Sequence, residues 1–169
     1  MMIPLRLRSS AALLLLVAQT GYTAAAEWQR FGDPIAGYSV DLPSGSFVPR
    51  NPAGEGHRTL FESSGEGIID LYGGNNLKRL PPVRFIEQLS SSPRIADVSY
   101  TALGKTWFVI SGHYKRESSD PGRLIYYAKF VFSDDLARFA AFEISYPISE
   151  KRRMDAVVAR MEDTLRLTR

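Results

Sequence analysis

The chain contains no cysteine. That one absence removes disulfide bonds, thiol nucleophiles, thiolate zinc sites and iron–sulfur clusters together. Histidine is scarce too, with only His57 and His113. A metal centre built on that pair would need a carboxylate such as Glu55 or Asp70, at spacings that match no zinc pattern. A hydrogen-bonded role near the surface fits both better. No P-loop or dinucleotide-binding spacing accompanies the glycine pairs Gly54/Gly56 and Gly65/Gly67, which read as turns. There is no G-x-S-x-G, and Ser44-Gly45-Ser46 falls in an unremarkable loop. Internal repeats and low-complexity tracts are missing, and no motif calls for a cofactor or a metal.

The chain also lacks an apolar run of the roughly 20 residues that span a bilayer. What stands at the N-terminus is shorter. Arg6 and Arg8 form a basic start, Ala11 to Ala18 is uncharged and apolar, and small residues lead to Ala24-Ala25-Ala26. This is the pattern of a cleavable export signal over residues 1–26, with the mature chain beginning at Glu27. The expected location is periplasmic or secreted, with no stable membrane anchor after cleavage. Loss of Arg6 and Arg8 lowers the net charge of +3 by two. The near-neutral remainder has no electrostatic footprint for nucleic acid. Residues 27–169 suit a single domain that must hold its fold by burial and hydrogen bonding alone.

Trp28 to Phe31 reads as a brief opening strand. Gly37-Tyr38-Ser39-Val40-Asp41-Leu42-Pro43 alternates as a half-buried strand does. Ser44 to Gly56 reads as a loop, His57–Ser63 and Gly67–Tyr72 as a hairpin, and Gly73-Gly74-Asn75-Asn76 as a further turn. Pro81-Pro82 opens a helix in which Val83, Ile86 and Leu89 recur, with Phe85 beside them, before Ser90 to Pro93 ends it. Asp97–Ala102, Lys105–Tyr114, Leu124–Phe132 and Leu136–Tyr146 read as strands of an antiparallel meander, turned at Ser118–Gly122 and at Ser133–Asp135. Trp107 to Ile110 looks covered on both faces. After Pro147, Met154, Val157, Val158, Met161 and Leu165 mark one apolar stripe of a closing helix. Lys151, Arg152 and Arg153, with Glu150 and Asp155, read as its solvated face. The expected fold is α+β: an antiparallel sheet of about six or seven strands flanked by helices, an α/β/α sandwich.

Candidate functional residues are few. Asp41, Glu62, Asp70 and Glu143 are acids on strands, and a paired-carboxylate hydrolase would need two of them to face each other. Solvent-facing positions explain them as well. The aromatic set Trp107, Phe108, Tyr126, Tyr127, Phe130, Phe132, Phe139 and Phe142 belongs mostly to the core, with any remainder forming an exposed patch for a partner or ligand. Trp107, His113 and Tyr127 are the candidates for such a binding patch.

The stretch Gly37 to Pro43 resembles the glycine–aromatic–small–aliphatic–x–x–proline opening of PsbP-like domains. The mid-chain helix, the meander around Trp107 and the closing helix ending at Leu165-Arg166 are similar as well, so the resemblance spans most of residues 28–167. Many relatives place a tryptophan just after the proline, where this chain has Ser44-Gly45-Ser46-Phe47. The resemblance implies an α/β/α sandwich and a non-enzymatic role as an accessory subunit or protein-binding module, and no family functional residue maps onto this chain. The expected function is an exported interaction or accessory module for an envelope protein. Alternatives are a small-ligand carrier or sensor with a pocket between the sheet and the Pro81–Ser91 helix, and a cryptic hydrolase using His57 or His113.

Overall fold

Alternating apolar and polar residues set about half of the described residues into strands, and two 3.6-residue stripes set the helices. The computed structural model describes residues 27–49, 56–115 and 124–168. The export signal, Glu55 and the Ser118–Gly122 turn lie outside the described residues. The strands are β1 (Trp28–Asp33), β2 (Tyr38–Pro43), β3 (Phe47–Pro49), β4 (His57–Glu62), β5 (Ile68–Asn75), β6 (Ile95–Leu103), β7 (Trp107–Tyr114), β8 (Leu124–Phe132), β9 (Arg138–Pro147) and β10 (Arg166–Leu167). The helices are α1 (Pro82–Ser90) and α2 (Lys151–Thr164), the latter entered through a single 3-10 turn at Ile148–Glu150.

Seven strands form one antiparallel sheet in the order β3-β4-β5-β9-β8-β7-β6. The other three form a small sheet, β1-β2-β10. Strand β2 therefore lies outside the main sheet. Its partner β10 occupies residues expected to finish the last helix, which stops at Thr164. Between β1 and β2, Asp33 Oδ1 accepts from the amides of Ile35 and Ala36 at 2.9 and 2.8 Å. Gly37 completes the turn at φ +69°, a conformation that glycine adopts without steric cost.

The sheet carries one core on each face. On one side Tyr38, Val40 and Leu42 of the small sheet join Met154, Val157, Val158 and Met161 of α2 over Ile69, Leu71, Phe142 and Ile144. On the other side Phe85, Ile86 and Leu89 of α1 pack on Phe108, Tyr126, Phe130, Phe132 and Ala141. The apolar face of α1 is thus Pro82, Phe85, Ile86 and Leu89, and Val83 is exposed. Gly73 and Gly74 continue strand β5 instead of turning it. A Cβ on Gly73 would stand 2.9 Å from the Tyr38 ring, so this glycine lets the small sheet dock.

Among the described residues no helix is long and apolar enough to cross a membrane.

Candidate functional site

The pleat of β7 and β8 sorts their side chains between the two faces. Phe108 and Ile110 point to α1, whereas Trp107, Val109, Ser111 and His113 alternate onto the side of α2. The register pairs Ser111 with Tyr127 and His113 with Ile125, so Trp107, His113 and Tyr127 share one face. They do not converge on one point. Trp107 and His113 sit at opposite ends of β7, six residues apart, or roughly 20 Å along the strand.

Helix α2 and β10 cover β8 and β9 on this face but stop short of the outer strands. Tyr127 stands at the border, donating its hydroxyl to Glu162 Oε2 at 2.7 Å. Burial, and then that carboxylate, push the Tyr127 hydroxyl far above its ordinary value. Lys129 Nζ reaches the Glu162 carbonyl at 3.2 Å and lies 5.7 Å from the Trp107 ring centre. Trp107 keeps 38% exposure, so its strand is covered on both faces only at Phe108 to Ile110. The indole lies across Gly104, where an added Cβ would be 2.2 Å from Nε1; only glycine leaves it room. Between the indole, Val131, Leu165 and Leu167 is a hollow of about 340 Å³ with Lys129 and Arg166 in its wall. Farther out Tyr100 is 55% exposed. His113 Nδ1 lies 3.0 Å from Asp97 Oδ1, a hydrogen-bonded histidine of the kind expected. Tyr100 was missed in the sequence, where only the alternation of β6 could have placed it on this face.

The α1 side gathers different chemistry. Asp70 of β5 stands directly opposite Glu143 of β9. Asp70 Oδ1 accepts from the Thr59 hydroxyl at 2.5 Å and lies 3.2 Å from His57 Nε2. Glu143 accepts from the Tyr114 hydroxyl. Burial, reinforced by the Asp70 charge, raises the Glu143 carboxyl above its ordinary value, with Arg94 acting in the opposite sense. A cavity of about 130 Å³ opens under the end of α1 beside Glu143, Arg94, Tyr114 and Tyr126.

Two of the four acids are buried structural anchors, contrary to a solvent-facing reading. Asp41, 8% exposed, binds Arg30 Nε at 2.9 Å and Arg160 Nη2 at 3.2 Å, tying the small sheet to α2. Glu62, also 8% exposed, binds Arg153 Nη1 at 2.5 Å. Arg153 therefore belongs to this anchor and not merely to a solvated face. The two histidines lie on opposite faces of the sheet, His57 beside Tyr72 and His113 beside Ile125, so they do not form a joint centre. Among the described residues no group of three or more His, Asp or Glu is placed to hold a metal ion.

No family model matches the chain. No curated protein matches it by sequence either. Solved structures do. The Ran-binding protein Mog1p of Saccharomyces cerevisiae superposes with a TM-score of 0.61 at 7% identity, over 85% of this chain and 96% of that one. Cyanobacterial PsbP from Synechocystis sp. PCC 6803 gives 0.59 at 10% identity, over 87% of this chain and 96% of that one. A protein from Bacteroides thetaiotaomicron gives 0.53 at 15% identity, over 83% of this chain and 48% of that one. The likeness at such identities is one of architecture: the chain has the PsbP-like α+β fold, the fold of the cyanobacterial PsbP and of Mog1p.

Proposed function

We propose that this is an exported, non-enzymatic interaction module that engages an envelope protein through the face of β6 and β7 left open by α2. The observation that carries the reading is the half-roofed sheet: Tyr100 and Trp107 stay wet where the neighbouring strands are covered. Exposed aromatic side chains beside a rigid sheet are characteristic of partner surfaces, because they bring large contact area at low entropic cost. That a Ran-binding protein shares the fold supports a binding role. The leader pattern of residues 1–26 supports export, and a periplasmic or secreted location follows from it.

Two measurements test this. Expressed with its own N-terminus in a Gram-negative host, the chain should be recovered from the periplasm beginning at Glu27; recovery from the cytosol with residue 1 or 2 as its start would overturn export. The partner surface is tested by crosslinking in envelope extract. One defined protein should be captured by the wild type and lost by a folded Tyr100→Ser/Trp107→Ser variant; equal capture by both would remove the open face from the reading.

A second reading, a small-ligand carrier, draws on the cavity beneath α1. A small molecule retained in native mass spectrometry, and lost on Ala128→Phe, would favour it over protein binding.

A further inference from the structure

The two ends of the main sheet are finished differently. Strand β3 is three residues long and ends in Pro49, which has no amide to donate. Strand β6 is nine residues long and contains no proline, lysine or arginine. Proline and charged residues, lysine above all, are among the devices that natural sheets use to guard an edge against added strands, and bulges are another. Its one charge, Asp97, is occupied by His113. Two register irregularities, between Ile95 and Asp97 and between Val98 and Tyr100, disturb its first half. From Tyr100 to Leu103 the ladder with β7 is regular. Among the described residues no strand pairs with the outer edge of β6. Val98, Tyr100 and Leu103 are 37%, 55% and 54% exposed beside it.

Resting on the interaction reading above, we infer that the outer edge of β6 is a strand-addition site for an extended partner segment with an apolar middle and acidic ends. Backbone hydrogen bonds along the edge hold the segment, and side chains above and below select it. Charge decides between a foreign segment and a second copy. Basic residues flank β6 at both ends. Arg94 precedes it, Lys115 binds the Arg94 carbonyl through its amide at 2.7 Å, and Lys105 follows it. Antiparallel pairing of β6 with its own copy about the strand's midpoint would set Arg94 of one chain opposite Gly104 of the other, next to Lys105, twice. Like charges placed so disfavour that dimer, whereas acidic ends on a partner strand complement both. Trp107, leaning across Gly104, provides an aromatic ledge at the Lys105 end.

The test uses the purified chain and three synthetic peptides: alternating valine and threonine flanked by aspartates, the same core flanked by lysines, and the aspartate peptide with alternate amides N-methylated. The first should bind at least about tenfold more tightly than either of the others, because the second reverses the end charges and the third removes the ladder donors. Hydrogen exchange in the complex should slow at those amides of residues 96–103 that point away from β7. Failure of all three peptides to bind, equal binding by all three, or binding without new protection in β6 overturns the edge site. None of these outcomes touches a partner whose capture depends on Tyr100 and Trp107, so failure here is separable from failure of the interaction reading. A peptide-free dimer in sedimentation equilibrium that protects the same amides also overturns it, by making the second copy the occupant.

Discussion

The surroundings of Glu143 oppose its charge. It sits between Ala128 of β8 and Asp70 of β5 in the sheet, with the Tyr114 hydroxyl as its donor. Burial first and the Asp70 charge second raise its carboxyl above the ordinary value of 4.5. A carboxyl whose folded value is raised binds its proton more tightly folded than unfolded, so folding stability is lost as pH rises from the ordinary value through the folded one. Glu143→Gln removes that dependence and keeps an acceptor for Tyr114. The variant should melt at a higher temperature than the wild type at neutral pH and show a flatter stability profile above pH 4.5. Thermal melts across pH that put the wild type level with or above the variant at neutral pH would refute this account.

At the scale of elements, α1 tests how far periodicity alone can be trusted. Its three-residue recurrence of Val83, Ile86 and Leu89 drifts about 60° round the helix at each step, because an α-helix turns about 100° per residue, so Ile86 and Leu89 stay on the buried face while Val83 falls outside it. The structure places Phe85 in the stripe instead, 5.0 Å from the Phe132 ring and 5.6 Å from that of Phe139. Phe85→Ala should therefore cost about 3 kcal/mol, the low end for such truncations because Phe85 remains partly exposed. Val83→Ser should stay within about 0.5 kcal/mol. Chemical denaturation of the two variants checks both values, and similar losses would return Val83 to the core. The long strands, the meander and the stripe of α2 were legible because each is a local pattern. Strand β10 was not: it is two residues long and pairs with Ser39 and Tyr38 far back in the chain. The Asp70–Glu143 pair was hidden for the same reason, since β9 lies beside β5 only because the sheet order inserts it there. Trp107, His113 and Tyr127 could be assigned to adjacent strands from the sequence, but the reach of α2, which decides what stays exposed, is a tertiary property.

For the molecule as a whole, one sheet separates two cores, and no covalent crosslink joins them. Either core opening exposes the back of the other, since β8 and β9 contribute side chains to both. That coupling gives the tyrosines a shared behaviour. Burial first of all raises Tyr126 and Tyr146 to about 12, with Asp97 and Asp155 adding to it. Burial raises Tyr38, Tyr72 and Tyr127 further still, and these five are spread over both faces. A phenol with a raised folded value ionises more readily unfolded, so its contribution to stability is complete below its ordinary value of 10.0 and is lost as pH climbs toward the folded value. The five should therefore ionise together with unfolding, not one by one in the native state. Near-ultraviolet absorbance in an alkaline titration should carry a steep phase that coincides with loss of tertiary circular dichroism. An absorbance change amounting to all of the chain's tyrosines before that loss would mean that the five ionise in the folded state, and the sheet would no longer count as holding them in a single cooperative unit.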